Sequence, residues 1–187
     1  MINWYPFFEY TDKTLDYALF KANDGVLDKV TGLTYTNMFD AQLDDVHSAM
    51  EEIGYGDVDI VVAETGWPSK GDPNQPDANK NYALSYIANL VKHVNSGQGT
   101  PLMPNRTFPT YIYGLFNENL KPNTSEQNFG LFNSDLTSVY NTGILQNKLV
   151  IFFNYKIINI LRTFCDSLVY ILVKRGYINL SFLEIVL

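Results

Sequence analysis

The chain is short of the residues that build cross-links and metal sites. Its 187 residues include one cysteine, Cys165, and two histidines, His47 and His93. One cysteine excludes an internal disulfide framework, a thiolate metal cluster and a Cys-x-x-Cys redox pair. The two histidines stand apart in stretches of helical spacing, which reads as surface helix positions rather than ligands. The chain also lacks a Gly-x-Ser-x-Gly nucleophile elbow, a phosphate-binding loop and a Gly-x-Gly-x-x-Gly dinucleotide fingerprint. Basic residues are few, 13 against 20 acidic ones, for a net charge of −7. That balance argues against a nucleic-acid partner, which would need a basic face. No apolar run reaches the ~18 uninterrupted residues of a membrane-spanning helix. The opening Met1-Ile2-Asn3-Trp4-Tyr5-Pro6 has neither the basic region nor the apolar stretch of a signal peptide.

Aromatic residues are plentiful: 13 Tyr, 12 Phe and 2 Trp. With an acidic balance they suit a neutral, ring-shaped ligand such as a sugar, and they suit an aromatic core equally well. Up to about Leu145 the chain alternates strand-like and helix-like patterns. Met1 to Phe8 reads as a strand. Phe39 to Ile53 carries apolar residues at helical spacing, with Asp40 near its start and Gly54 at its end. Val58 to Ala63 reads as a strand buried on both faces, Asp77 to Val94 as a second helix, and Thr110 to Phe116 as a further strand. Strand, helix, strand, helix, strand is the order of a parallel α/β fold.

The strand at Val58–Ala63 runs directly into Glu64-Thr65-Gly66-Trp67-Pro68-Ser69. In parallel β/α barrels the C-terminal strand ends carry the catalytic groups. A carboxylate at the edge of a low-dielectric core needs a reason to be there, so Glu64 is a candidate catalytic residue. The plainer reading is a solvated or ion-paired glutamate. Two other strand ends are polar as well. Asn3-Trp4-Tyr5-Pro6-Phe7-Phe8 offers an amide and a phenol, and Phe116-Asn117-Glu118-Asn119-Leu120-Lys121 a carboxylate and an ammonium. Glu126-Gln127-Asn128-Phe129-Gly130-Leu131-Phe132 follows. Cleaving a glycoside takes two carboxyl groups flanking the bond, with donors and acceptors for the hydroxyls. Singly, Asn3 could be a cap, Glu118 and Lys121 a surface pair, and Phe129 and Phe132 core.

Taken together, these blocks resemble the C-terminal half of plant glycoside hydrolase family 17, the glucan endo-1,3-β-glucosidases. The resemblance covers Met1 to about Leu145, with Phe39-Asp40-Ala41 a further matching block. It implies that residues 1–145 form part of a (β/α)₈ TIM barrel, about strands 6 to 8 with their helices. It implies retaining hydrolysis of β-1,3-glucan by a monomer, with Glu64 as nucleophile and with no metal or organic cofactor. Asn3, Glu118, Lys121, Glu126 and Phe129 match positions that line the cleft and support the nucleophile, and Tyr5, Phe8 and Trp67 match aromatic positions around the sugar subsites. The resemblance also implies secretion to the cell wall or delivery to a vacuole for a full-length parent.

The general acid of the family is a glutamate in a Gly-Asn-Glu block after the fourth strand, and no such block occurs in these 187 residues. The chain is therefore expected to begin at about the sixth strand and to be inactive alone. A non-catalytic β-glucan- or callose-binding protein, or a pseudogene product, is the alternative. Residues 146–187 lie outside the resemblance. They contain no Pro and no Ala, and hold five basic residues against two acidic. Their Ile, Asn, Lys, Phe, Leu and Tyr are what an AT-rich non-coding stretch yields on translation. A membrane-associated segment is the alternative for this tail, whereas none is expected in 1–145. Asn-x-Ser/Thr sequons stand at Asn105, Asn123 and Asn179, and matter in a secretory context.

Overall fold

The computed structural model describes residues 1–142 and the backbone of residues 171–173. Its main sheet runs β1 (Ile2–Asn3), β4 (Val62–Thr65), β5 (Thr110–Ile112) and β6 (Ile171–Val173). Strands β1, β4 and β5 are parallel, and β6 closes the far edge of β5 in antiparallel register, Thr110 opposite Val173. Between β1 and β4 come α1 (Pro6–Glu9), α2 (Leu15–Ala18), the hairpin β2 (Val26–Leu27) and β3 (Thr34–Tyr35), and α3 (Met38–Glu52). Helix α4 (Lys80–Asn95) connects β4 to β5. The fold is α/β with a parallel core, as the alternation of patterns implies.

The element boundaries differ from the sequence reading for local reasons. The first strand stops at Asn3 rather than Phe8, because Pro6 cannot donate to a ladder and its fixed φ suits the first turn of α1. The next strand begins at Val62 rather than Val58. The Val58 N–H instead donates to Tyr55 O at 3.2 Å, closing a turn. It then continues past Ala63, so Glu64 is paired within the ladder, opposite Asn3. Helix α3 is capped by Asn37, not by Asp40. Asn37 Oδ1 accepts the Asp40 N–H at 2.8 Å, and Asn37 Nδ2 donates to Asp40 Oδ2 at 2.8 Å. Asn79 caps α4 in the same way, accepting the Tyr82 N–H at 3.0 Å. The last expected strand is shortened to Thr110–Ile112. The hairpin has no counterpart in the sequence reading.

Val62 and Ile112 are fully buried at the sheet and Leu43, Ile87 and Leu90 on the helices, together with Phe39 and Tyr86. Two carboxylates inside this core are satisfied. Asp44, 2 % exposed, accepts from the Thr100 hydroxyl and from the Leu102 N–H at 2.8 Å. Asp40 Oδ1 lies 2.7 Å from His93 Nε2 and ties α3 to α4. His93 is thus not the surface residue its spacing suggests: its ring packs 5.4 Å from Phe20. A polar pair survives in a core only when its members satisfy each other, and here the pair sets how the two helices register.

No helix among the described residues is long and apolar enough to cross a membrane. The expectations for residues 146–187 lie outside the described residues, apart from the backbone of β6.

Two phenols carry a pH consequence. Burial, then the Asp77 carboxylate that accepts its hydroxyl proton, pushes Tyr10 up to about 12. Burial, then the Asp40 charge, pushes Tyr17 up to about 12. Both groups hold their protons more tightly folded than unfolded. Their stabilising contribution is therefore complete below about pH 10 and is lost as pH rises towards 12. A melting-temperature series from pH 8 to 12 is expected to stay flat to about pH 10 and then fall, with tyrosinate absorbance rising in step with unfolding.

Candidate active site

Parallel pairing brings the C-terminal ends of β1, β4 and β5 to one end of the sheet, and the chain places a polar or aromatic residue at each. Tyr5 follows β1, Glu64 lies in the last turn of pleat of β4, and Tyr113 follows β5. Backbone bonds lock the three ends together. The Trp4 N–H donates to Glu64 O at 2.8 Å, and the Tyr113 N–H donates to Thr65 O at 2.8 Å.

Tyr5 donates its hydroxyl proton to Glu64 Oε2 at 2.7 Å. The Tyr113 hydroxyl donates to Glu118 Oε2 at 3.2 Å, and Lys121 Nζ lies 3.7 Å from the same oxygen. The two tyrosine rings meet edge to face at 6.0 Å. Phe129 packs against both, at 5.5 Å from Tyr5 and 5.7 Å from Tyr113. Two carboxylates are therefore each held by a phenol, and the phenols are held by one another and by a buried phenylalanine. Such packing keeps the phenols in one rotamer, which fixes the oxygens they bind.

Glycine makes this convergence possible. Any Cβ on Gly66 would collide with the Tyr113 carbonyl, and one on Gly130 with the Phe116–Asn117 backbone. Gly130 also gives its N–H to Asn117 Oδ1 at 2.9 Å, which pins the loop carrying Phe129 against the one carrying Glu118.

The residues singled out from sequence divide clearly. Glu64, Tyr5, Phe8 and Phe129 form one contact group, with Phe8 55 % exposed beside Tyr5 at 5.7 Å. Glu118 and Lys121 join it through Tyr113. Asn3 is exposed and lies opposite Glu64 in the ladder. Glu126 sits on the loop behind Lys121 and accepts from Asn123 Nδ2 at 3.3 Å. Trp67 requires a correction. It is 0 % exposed, so it offers no face to a sugar. Its indole N–H donates to Asp77 O at 2.8 Å, and its ring packs against Phe7 and Tyr10, both at 5.2 Å. An indole is the largest apolar side chain, and the fold uses it as core where β4 turns towards α4.

Sequence reasoning missed Tyr113 and Tyr86. Tyr113 was visible as the second tyrosine of Thr110-Tyr111-Ile112-Tyr113, where alternation puts both tyrosines on the face opposite buried Ile112. Tyr86 reads as one more apolar helix position, yet its hydroxyl lies 2.5 Å from Thr65 Oγ1, beside the catalytic candidate. Burial pushes its phenol far up, so it stays neutral.

Comparisons with known proteins agree with this architecture. The model of glycosyl hydrolases family 17 matches residues 1–144. A glucan endo-1,3-beta-glucosidase of Triticum aestivum is 49 % identical over 148 residues, covering 79 % of this chain and 32 % of the relative. Glucan endo-1,3-beta-glucosidase 7 of Arabidopsis thaliana is 50 % identical, covering 79 % and 30 %. Among solved structures, CJP38, a beta-1,3-glucanase and allergen of Cryptomeria japonica pollen, superposes with a TM-score of 0.67 at 49 % identity, over 74 % of this chain and 43 % of that one. The chain belongs to glycosyl hydrolase family 17. It spans about a third of the length of the curated relatives it matches.

Trp67 and Phe8 provide a direct check of the site's division into core and surface. Trp67→Ala empties a core position and is expected to cost about 3–5 kcal/mol in urea denaturation. Phe8→Ala removes an exposed ring and is expected to stay within about 0.5 kcal/mol. Equal, small costs for both would return Trp67 to the surface.

Proposed function

We propose that Glu64 is the nucleophile of a retaining β-1,3-glucanase site and that residues 1–145 supply the nucleophile's side of the cleft. The observation that carries the reading is the Glu64 carboxylate held at 2.7 Å by the Tyr5 hydroxyl at the C-terminal end of a parallel strand. In this scheme one Glu64 oxygen attacks the anomeric carbon of a glucosyl unit, and the glycosidic C–O bond breaks. The resulting glycosyl ester is released by water. Tyr5 orients the attacking group, since a nucleophile must be held close to its line of attack. Glu118 and Lys121, tied to each other and to Tyr113, serve the sugar hydroxyls or the loop rather than the leaving group. Phe8 offers an exposed ring for stacking on a glucosyl face.

Strands β1, β4 and β5 correspond, on this reading, to the sixth, seventh and eighth strands of a (β/α)₈ barrel, and residues 146–187 to an extension outside it. The parallel order β1-β4-β5 and the 43 % coverage of a related glucanase support that assignment. The substrate polymer lies in plant cell walls, so the protein is assigned to the secretory pathway.

Retaining chemistry needs a second carboxyl group about 5–5.5 Å from the nucleophile to protonate the departing oxygen. The family's Gly-Asn-Glu block is absent from these 187 residues. Loss of general-acid help alone costs roughly 10²–10⁴-fold. A reducing-end assay of the purified 187-residue chain on soluble β-1,3-glucan is therefore expected to give no turnover. Turnover abolished by Glu64→Gln would overturn the inactivity and keep the nucleophile. Turnover that survives Glu64→Gln would overturn the nucleophile itself. The non-catalytic alternative is favoured by one feature, the exposed Phe8 ring. It predicts glucan pull-down that persists in Glu64→Gln and is lost in Phe8→Ala.

A further inference from the structure

The loop from Gly99 to Pro109, which leads into β5, lies at the end of the sheet opposite Tyr5, Glu64 and Tyr113. It carries the sequon Asn105-Arg106-Thr107. Met103 to Arg106 forms a β-turn, the Arg106 N–H donating to Met103 O at 3.1 Å, with Pro104 and Asn105 at its corners. Asn105 and Thr107 are both exposed, and neither side chain makes a hydrogen bond among the described residues. The residue between them does the opposite. Arg106 Nη2 donates to Val58 O at 2.7 Å and to Asp59 Oδ1 at 3.1 Å, holding the loop against the chain that enters β4. The sequon is thus anchored by its middle residue, and its acceptor Asn105 and hydroxyl residue Thr107 face solvent.

The second described sequon is built the other way round. The hydroxyl residue of Asn123-Thr124-Ser125 is Ser125, which is 2 % exposed. Thr124 is bonded to Asp72 Oδ1 at 2.5 Å, and the Asn123 amide is engaged with Glu126. Asn128 Nδ2 donates to Thr124 O at 2.7 Å and closes the segment. This sequon lies on the loop that carries Lys121 and Glu126, on the side of the candidate cleft.

We propose that Asn105 is an N-glycosylation site and that Asn123 stays bare, so that the glycan stands on the face away from the cleft. The inference rests on the secretory placement made above. In the transfer, Asn105 Nδ2 bonds to the anomeric carbon of the first N-acetylglucosamine of a dolichyl-pyrophosphate-linked oligosaccharide. The C1–O bond to pyrophosphate breaks, the lipid pyrophosphate leaves with the bonding pair, and the amide gives up one proton.

The test is the 187-residue chain secreted by a eukaryotic host behind a cleavable leader. Peptide mass spectrometry follows enzymatic deglycosylation in ¹⁸O water, which marks each occupied asparagine as labelled aspartate. Label at Asn105 and none at Asn123 is expected, with the one-glycan mobility shift at Asn105 lost in both Asn105→Gln and Thr107→Ala. Thr107→Ala leaves the asparagine in place, and unchanged melting of both variants separates loss of the site from loss of the fold. Unlabelled Asn105 in leader-cleaved protein, or label at Asn123 instead, overturns the proposal. Neither result bears on Glu64, whose role is read by the glucan assays.

Discussion

The parallel pairing of β1, β4 and β5 is the constraint on which the candidate site depends. Parallel strands deliver their C-terminal ends to one side, and each end here supplies one member of a small aromatic and acidic group. Tyr5, Glu64 and Tyr113 come from segments far apart in sequence, and the ladder bonds Trp4 N–H to Glu64 O and Tyr113 N–H to Thr65 O bring them side by side. Slipping any strand by one residue would turn its site residue to the other face. The side-chain bond between Tyr5 and Glu64 follows from the backbone register rather than creating it.

Keeping that register requires the helices to dock in one place, and buried polar groups do much of this. Asp40 links the start of α3, through His93, to the last turn of α4. Asp44 holds the chain after α4 by the Thr100 hydroxyl and the Leu102 N–H. An apolar interface alone tolerates sliding, since area burial has no direction. A buried carboxylate with fixed donors does not, because a shifted arrangement would leave a charge unsatisfied. The sheet and both long helices are thereby tied at the end remote from Glu64 as well as beside it.

Much of this was legible in the sequence, and the failures have physical causes. Both long helices were visible because apolar residues at helical spacing extend over several turns, and the missed caps, Asn37 and Asn79, are polar residues that the apolar pattern does not register. Strand lengths were overestimated, since an apolar run records burial and not ladder pairing. Val58 to Val61 are apolar or turn-forming without being in the strand, and Tyr5 to Phe8 turn into a helix at Pro6. The hairpin was illegible because Val26, Leu27 and Val30 are exposed, which removes the alternation that signals a half-buried strand. Glu64 was legible from its position at a strand end. Tyr5 was legible as a phenol at another strand end, but its bond to Glu64 was not, because nothing in a sequence says where a hydroxyl 59 residues away will point.

Trp67 shows what the block Glu64-Thr65-Gly66-Trp67-Pro68-Ser69 encodes. One residue of the six, Glu64, faces the candidate cleft with a reactive group. Thr65 meets the Tyr86 hydroxyl of α4, and Gly66 leaves room for the Tyr113 carbonyl. Trp67 donates to Asp77 O ahead of α4, and Ser69 donates to Asn128 O from both its hydroxyl and its backbone N–H. Four of its residues thus join the end of β4 to the helix that follows and to the loops after β5. The block is so specific because it solves a packing problem around a carboxylate. Its presence identifies the scaffold that aims Glu64, while the chemistry at Glu64 depends on what stands across the cleft.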